Sequence, residues 1–165
     1  MMHQEYELEK WVWTEEDFER MGWHDSRIYA LAFSPETFEL LLDIDYIFQW
    51  INPEPGETFY KFWVAPATLI FENVSDVDFD IGSYNSGLEI INIRRNEARK
   101  PRNAEYIQRQ TEWQWTLDCQ QGDIKLWSVG YKQYIRSAPR SDMGQKLGLT
   151  ARDGYSFARG TADAF

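Results

Sequence analysis

Between residues 28 and 135 apolar side chains recur mainly at every second position, the period of a strand that buries one face. The clearest stretch is Phe38 to Phe48. There Phe38, Leu40, Leu42, Ile44, Tyr46 and Phe48 alternate with Glu39, Leu41, Asp43, Asp45 and Ile47. Ser34-Pro35-Glu36 just before it could also open a helix, with a serine cap and a proline in the first turn. A helical stripe through Phe38, Leu41 and Leu42 would carry Asp45 with it, whereas a strand sorts both aspartates away from the aromatic side. The spacing therefore predicts a strand, paired with Ile28 to Phe33 across the Ser34-Pro35-Glu36-Thr37 turn.

The same pattern continues along the chain. Asn52-Pro53-Glu54-Pro55-Gly56 is turn chemistry. After it, Pro66 divides a long apolar run into two expected strands, residues 58–65 and 67–74, because proline cannot donate to a central ladder. Val77, Phe79 and Ile81 alternate with Asp76, Asp78 and Asp80 in a half-exposed strand ending at a Gly82 to Gly87 loop, and Leu88 to Ile93 follows. Trp113, Trp115, Leu117 and Cys119 open a second hairpin that turns at Gln121-Gly122-Asp123 and returns as Ile124 to Ile135.

Two segments break the period. Thr14 followed by Glu15, Glu16 and Asp17 suits a capped helix ending before Gly22. Residues 94–109 gather Arg94, Arg95, Arg99, Lys100, Arg102 and Arg109 around Pro101 and read as a long basic loop with a helical turn. Strands joined mostly by short turns, with no βα alternation, give a mainly β fold: an antiparallel β-sandwich or a curled, partly closed sheet with one short N-terminal helix. Residues 1–140 form one such domain. Residues 141–165, rich in Gly, Ser, Arg and Ala, are expected to be a loose tail.

Composition narrows the function classes. The chain of 165 residues has 43% hydrophobic and 16% aromatic side chains, enough for a core. Its 27 acidic against 17 basic residues give a formal charge of -10, which favours basic partners and makes nucleic acid and anionic membranes unlikely ones. A single cysteine, Cys119, fits a reducing compartment. The polar opening residues and the lack of long apolar runs add to the expectation of a cytoplasmic protein with no membrane association.

Candidate chemistry is sparse. His24 is the one internal histidine and stands between Trp23 and Asp25. If a strand already begins there, His24 and Asp25 point to opposite faces and cannot pair, so Asp25 would cap the loop while His24 packs by Trp23. Asp43 and Asp45, like Asp76, Asp78 and Asp80, are spaced by two, roughly 6.5 to 7 Å apart along one strand face. One strand with that spacing cannot cage calcium unaided, and both sets read as solvated acidic faces. The candidate binding residues are thus Trp23, His24, Asp25, Asp43, Asp45, Asp76, Asp78 and Asp80. No catalytic set, metal site or cofactor motif is found, although His24 with a carboxylate is the one acid-base pair a hydrolase could use.

The His24-Asp25 element and the Gln120-Gln121-Gly122-Asp123-Ile124 hairpin resemble features of uncharacterised bacterial β-rich families, some of them immunity-type proteins that neutralise toxins delivered between bacteria. The resemblance implies a non-enzymatic acidic protein that binds a basic protein partner. The alternative from composition is a small-ligand-binding β domain whose Trp and Tyr residues line a cavity in the curled sheet.

Overall fold

The computed structural model describes residues 5–82, 87–141 and 144–160. It contains β1 (Val12–Thr14), a 3-10 helix (Glu15–Arg20), β2 (Arg27–Ser34), β3 (Glu39–Ile51), β4 (Lys61–Glu72), β5 (Ser75–Ile81), β6 (Leu88–Arg99), α1 (Ala104–Ile107), β7 (Glu112–Cys119), β8 (Gly122–Ser128) and β9 (Gly130–Ile135). The strands form one antiparallel sheet in the order β1-β9-β4-β3-β2-β6-β7-β8-β5, and its hydrogen bonding does not close.

Two connections bend this sheet over on itself. Asn73 and Val74 link β4, third in the order, to β5, which is ninth; Val129 alone links β8, eighth, to β9, second. Strands so far apart in the sheet can be joined by one or two residues only if its two ends lie close together. Asn73 takes the sharp corner with φ +51°, a conformation asparagine tolerates, and exchanges two amide hydrogen bonds with Asn103. Between the halves lies the core, where Trp115 of β7 meets Phe71 of β4 at 5.8 Å and Tyr131 of β9 at 5.5 Å. Trp23 joins this cluster edge-on to Tyr131, and its indole N–H donates to Gln133 Oε1.

Residues 39–51 are extended as the alternation predicts, with Leu40, Leu42 and Ile44 buried in the core. Phe38 falls outside the pattern: its φ is +57°, it is largely exposed, and its carbonyl accepts from Val74 N–H. Several other expectations are corrected. Pro66 does not divide β4 but sits inside it opposite Asp45. Its carbonyl accepts from Arg136 N–H on the β9 side, just where β9 ends, so the missing proline N–H faces that side and costs the β3 ladder nothing. Residues 124–135 are two strands rather than one, because the chain crosses between the halves at Val129. The Thr14-capped segment winds as a 3-10 helix with a capping box to Asp17.

Residues 94–99 continue β6 instead of looping out. Their arginines lie on aromatic rings and reach acids: Arg99 stacks 3.8 Å over Trp127 and pairs with Glu112 and Asp76 at 2.7 Å, and Arg95 covers Trp113 and Phe18. The apolar arginine stems thereby cover rings that a loop would leave wet. The Gly82 to Gly87 loop falls largely on residues 83–86, outside the described residues. No helix among the described residues is long and apolar enough to cross a membrane.

Candidate interaction surface

The outer face of the sheet carries two sets of paired aspartates. On β3, Asp43 and Asp45 do point away from the core, but neither is solvated: both are fully buried. Over them lies the segment expected to be a loose tail. Its residues 144–160 are clamped onto β3 and β4. Arg152, with a fully buried side chain, donates to Asp43 at 2.7 and 2.9 Å and to Asp45 at 3.2 Å, and Arg136 reaches Asp43 at 2.7 Å. Leu147 packs on Ile47, Phe62 and Val64, while its N–H and the Tyr29 hydroxyl both donate to Asp45. Asp43 also accepts from Ser156 N–H. A buried carboxylate needs such partners, and arginines far along the chain supply them.

The two carboxyls differ in consequence. Burial raises both, but for Asp43 the hydrogen bonds from Arg152, Ser156 N–H and Arg136 outweigh it and hold the carboxyl below its ordinary range. For Asp45 burial prevails over Tyr29, Leu147 N–H and Arg152, and the carboxyl is pushed up. Arg152 is raised, since Asp43 and Asp45 together overcome its own burial. Asp43 and Asp45 are therefore internal anchors for the C-terminal segment and offer nothing to a partner.

On the other half of the sheet the carboxylates stay accessible. Strand register places Asp80 of β5 directly opposite Asp123 of β8, and Asp123 directly opposite Asp118 of β7. Residues opposite one another share a face, and Phe79, Ile124 and Leu117 alternate with them, the last two fully buried in the core. Three aspartates thus stand side by side on the outer face. Asp78 lies one step along β5, opposite Lys125, and Arg94 pairs with Asp118 at 2.6 Å. Asp76 is the least available of its trio, since Arg99 and Arg102 both hold it, at 2.7 and 2.8 Å, and keep its carboxyl below the usual range.

Asp118 and Asp123 were not singled out from the sequence. In the sequence Asp123 reads as turn chemistry, and nothing local marks Asp118. Pairing the hairpin through Cys119 and Gly122 puts them face to face, and that register is the signal that could have found them. Among the described residues no group of three or more His, Cys, Asp or Glu is arranged to hold a metal ion. Cys119 is buried, and burial together with Asp118 and Asp123 pushes its thiol up to about 11, which suits an inert core sulfur.

Trp23, His24 and Asp25 occupy a turn before β2 and are not yet in a strand. Trp23 is core. Asp25 has φ +65°, which brings its Oδ2 to 3.6 Å from His24 Nε2, so the two side chains do approach each other. At that distance they approach without a hydrogen bond. His24 Nδ1 faces the Ile91 carbonyl at 3.2 Å, and a neutral ring that donates there has only a lone pair to offer the carboxylate. Asp25 instead accepts from Gln145 at 2.8 Å, and the exposed His24 ring stacks on Trp50.

Trp23, Tyr46, Trp115 and Tyr131, among the rings that composition offers for a cavity, are packed against one another in the core. A cleft of about 1050 Å³ lies elsewhere, beside Pro66, lined among others by Tyr6, Trp63, Arg136, Arg140 and Tyr155. No family model, curated protein or solved structure matches the chain, so its own geometry is what bears on its role.

Proposed function

We propose that this chain is a non-enzymatic interaction protein, of the acidic immunity-like kind, that docks a basic protein partner on the outer face of β5, β8 and β7. One observation carries the reading: Asp80, Asp123 and Asp118 are directly opposed across three strands. Like charges in that position weaken a sheet, and Arg94 relieves only the Asp118 end of the row, so the row points to a use outside the fold. The net charge of -10 supports it, because many of the described cations are already spent internally. Arg136 and Arg152 serve Asp43, Arg109 serves Glu15 and Arg159 serves Glu39. Such a surface steers a cationic partner into contact and loses grip as salt rises.

The test is capture of the partner from the protein's own cells, followed by measured binding at low and physiological salt. The reading expects a basic protein whose affinity falls with salt and with the Asp80→Asn/Asp123→Asn variant. Binding indifferent to both would overturn it. A second reading, a site for a small polar ligand, is favoured by the cleft lined by Arg136 and Arg140. It expects Arg140→Ala to abolish ligand-induced thermal stabilisation, and a screen of polar metabolites that produces no such shift in the unaltered protein would end it.

A further inference from the structure

We infer that the exposed aromatic step formed by His24, Trp50 and Tyr60 seats an arginine side chain of the basic partner, an inference that rests on the docking face proposed above. Trp50 is 44% exposed and Tyr60 51%, far from the core values of rings such as Trp23, Trp115 and Tyr131. The step is nonetheless fixed. Trp50 pairs across β3 and β4 with buried Phe62, edge to face at 4.9 Å, and meets Tyr60 at 6.1 Å and His24, stacked, at 6.0 Å. Trp50 is held on β3 against Phe62 of β4, with Tyr60 just before β4 and His24 in the turn before β2 on either side of it, so the rings are arranged before binding and have less to lose on it.

The platform continues the acidic row. Asp118 is opposite Asn92 on β6, and the neighbouring Ile91, itself 42% exposed, offers its carbonyl to His24 Nδ1. A basic segment lying across Asp80, Asp123 and Asp118 would therefore pass over β6 and arrive at His24 and Trp50. Charge selects a cation for this seat, and the aromatic faces select arginine over lysine. A guanidinium is planar and weakly hydrated, so it stacks on a ring more readily than an ammonium does. The protein follows the same preference internally, placing Arg99 over Trp127 and Arg152 over Tyr29 at 3.8 and 3.9 Å. None of the guanidinium-ring pairs among the described residues uses Trp50 or Tyr60.

Fluorescence anisotropy with labelled hexa-arginine and hexa-lysine peptides at low salt tests this directly. Trp50→Leu/Tyr60→Ala, which keeps an apolar contact for Phe62, is expected to weaken the arginine peptide by about fivefold to thirtyfold and to change the lysine peptide by less than about twofold. Tyr60→Ala alone, which removes only an exposed ring, should act in the same direction and guards against a folding defect in the double variant. Asp80→Asn/Asp123→Asn should weaken both peptides. If the aromatic variants bind both peptides as the parent does, or lose both equally, the arginine seat is wrong while the docking face stands. If neither peptide binds the parent protein, the docking face and the seat fall together.

Discussion

Two pairs of strand aspartates with the same spacing meet opposite fates. Asp43 and Asp45 on β3 are sealed under residues 144–160 and neutralised by Arg136 and Arg152, whereas Asp78 and Asp80 on β5 remain at the surface beside Asp123. Period-two carboxylates therefore say which side of a strand is polar but not whether water reaches it. What separates the two sites is a chain segment about a hundred residues away that carries its own cations.

The sharpest way to break the comparison is Arg152→Ala, which strips the buried partner from both Asp43 and Asp45. Removing one side of a buried ion pair costs about 3 to 5 kcal/mol, and urea unfolding should show a loss of that size, together with proteolytic release of the C-terminal segment. Wild-type behaviour in both measurements would mean that the clamp is unimportant.

Acid titration should separate the two buried carboxyls from each other. The folded carboxyl of Asp43 lies below its unfolded value, so its contribution is present above about pH 4 and is lost as pH falls through the folded value. Asp45 is raised, so the folded state takes up its proton first and gains stability as pH falls through that higher value. Stability measured from pH 6 down to about pH 3 should therefore decline less steeply in Asp43→Asn and more steeply in Asp45→Asn than in the parent. Identical slopes for the two variants would contradict the assignment.

At the open site the sign reverses. Asp80→Asn/Asp123→Asn relieves like-charge contacts and should stabilise the fold by roughly 0.2 to 1 kcal/mol, seen as a higher Tm, while weakening the basic partner. A destabilised variant would show that these carboxylates hold the fold. Smallest of all is Arg102→Ala: its pair with Asp76 is largely solvated and Arg99 remains on the same carboxylate, so the melt should not move measurably.

Much of the sheet was legible from local pattern. The alternation of Leu40, Leu42 and Ile44, the Gly122 hairpin and the capped turn at Thr14 each need only neighbouring residues, and each is present. Pro66 and the arginines of β6 misled because their solutions are nonlocal. One depends on where β9 ends, and the other on which rings and acids adjacent strands present. Of the candidate site, Asp78 and Asp80 stand on the proposed face. Trp23 is core, Asp43 and Asp45 are anchors, and Asp118 and Asp123 emerge from strand register.

By itself the sequence determined the class of backbone and which side of each strand is apolar, because both follow from side chains two positions apart. Only the tertiary structure decided that the sheet bends until its two ends meet, that Arg152 closes over Asp43, and that Asp80, Asp123 and Asp118 fall in line. Those outcomes depend on residues remote in sequence competing for the same surface. Burial, unlike strand periodicity, is a property of what the rest of the chain leaves uncovered.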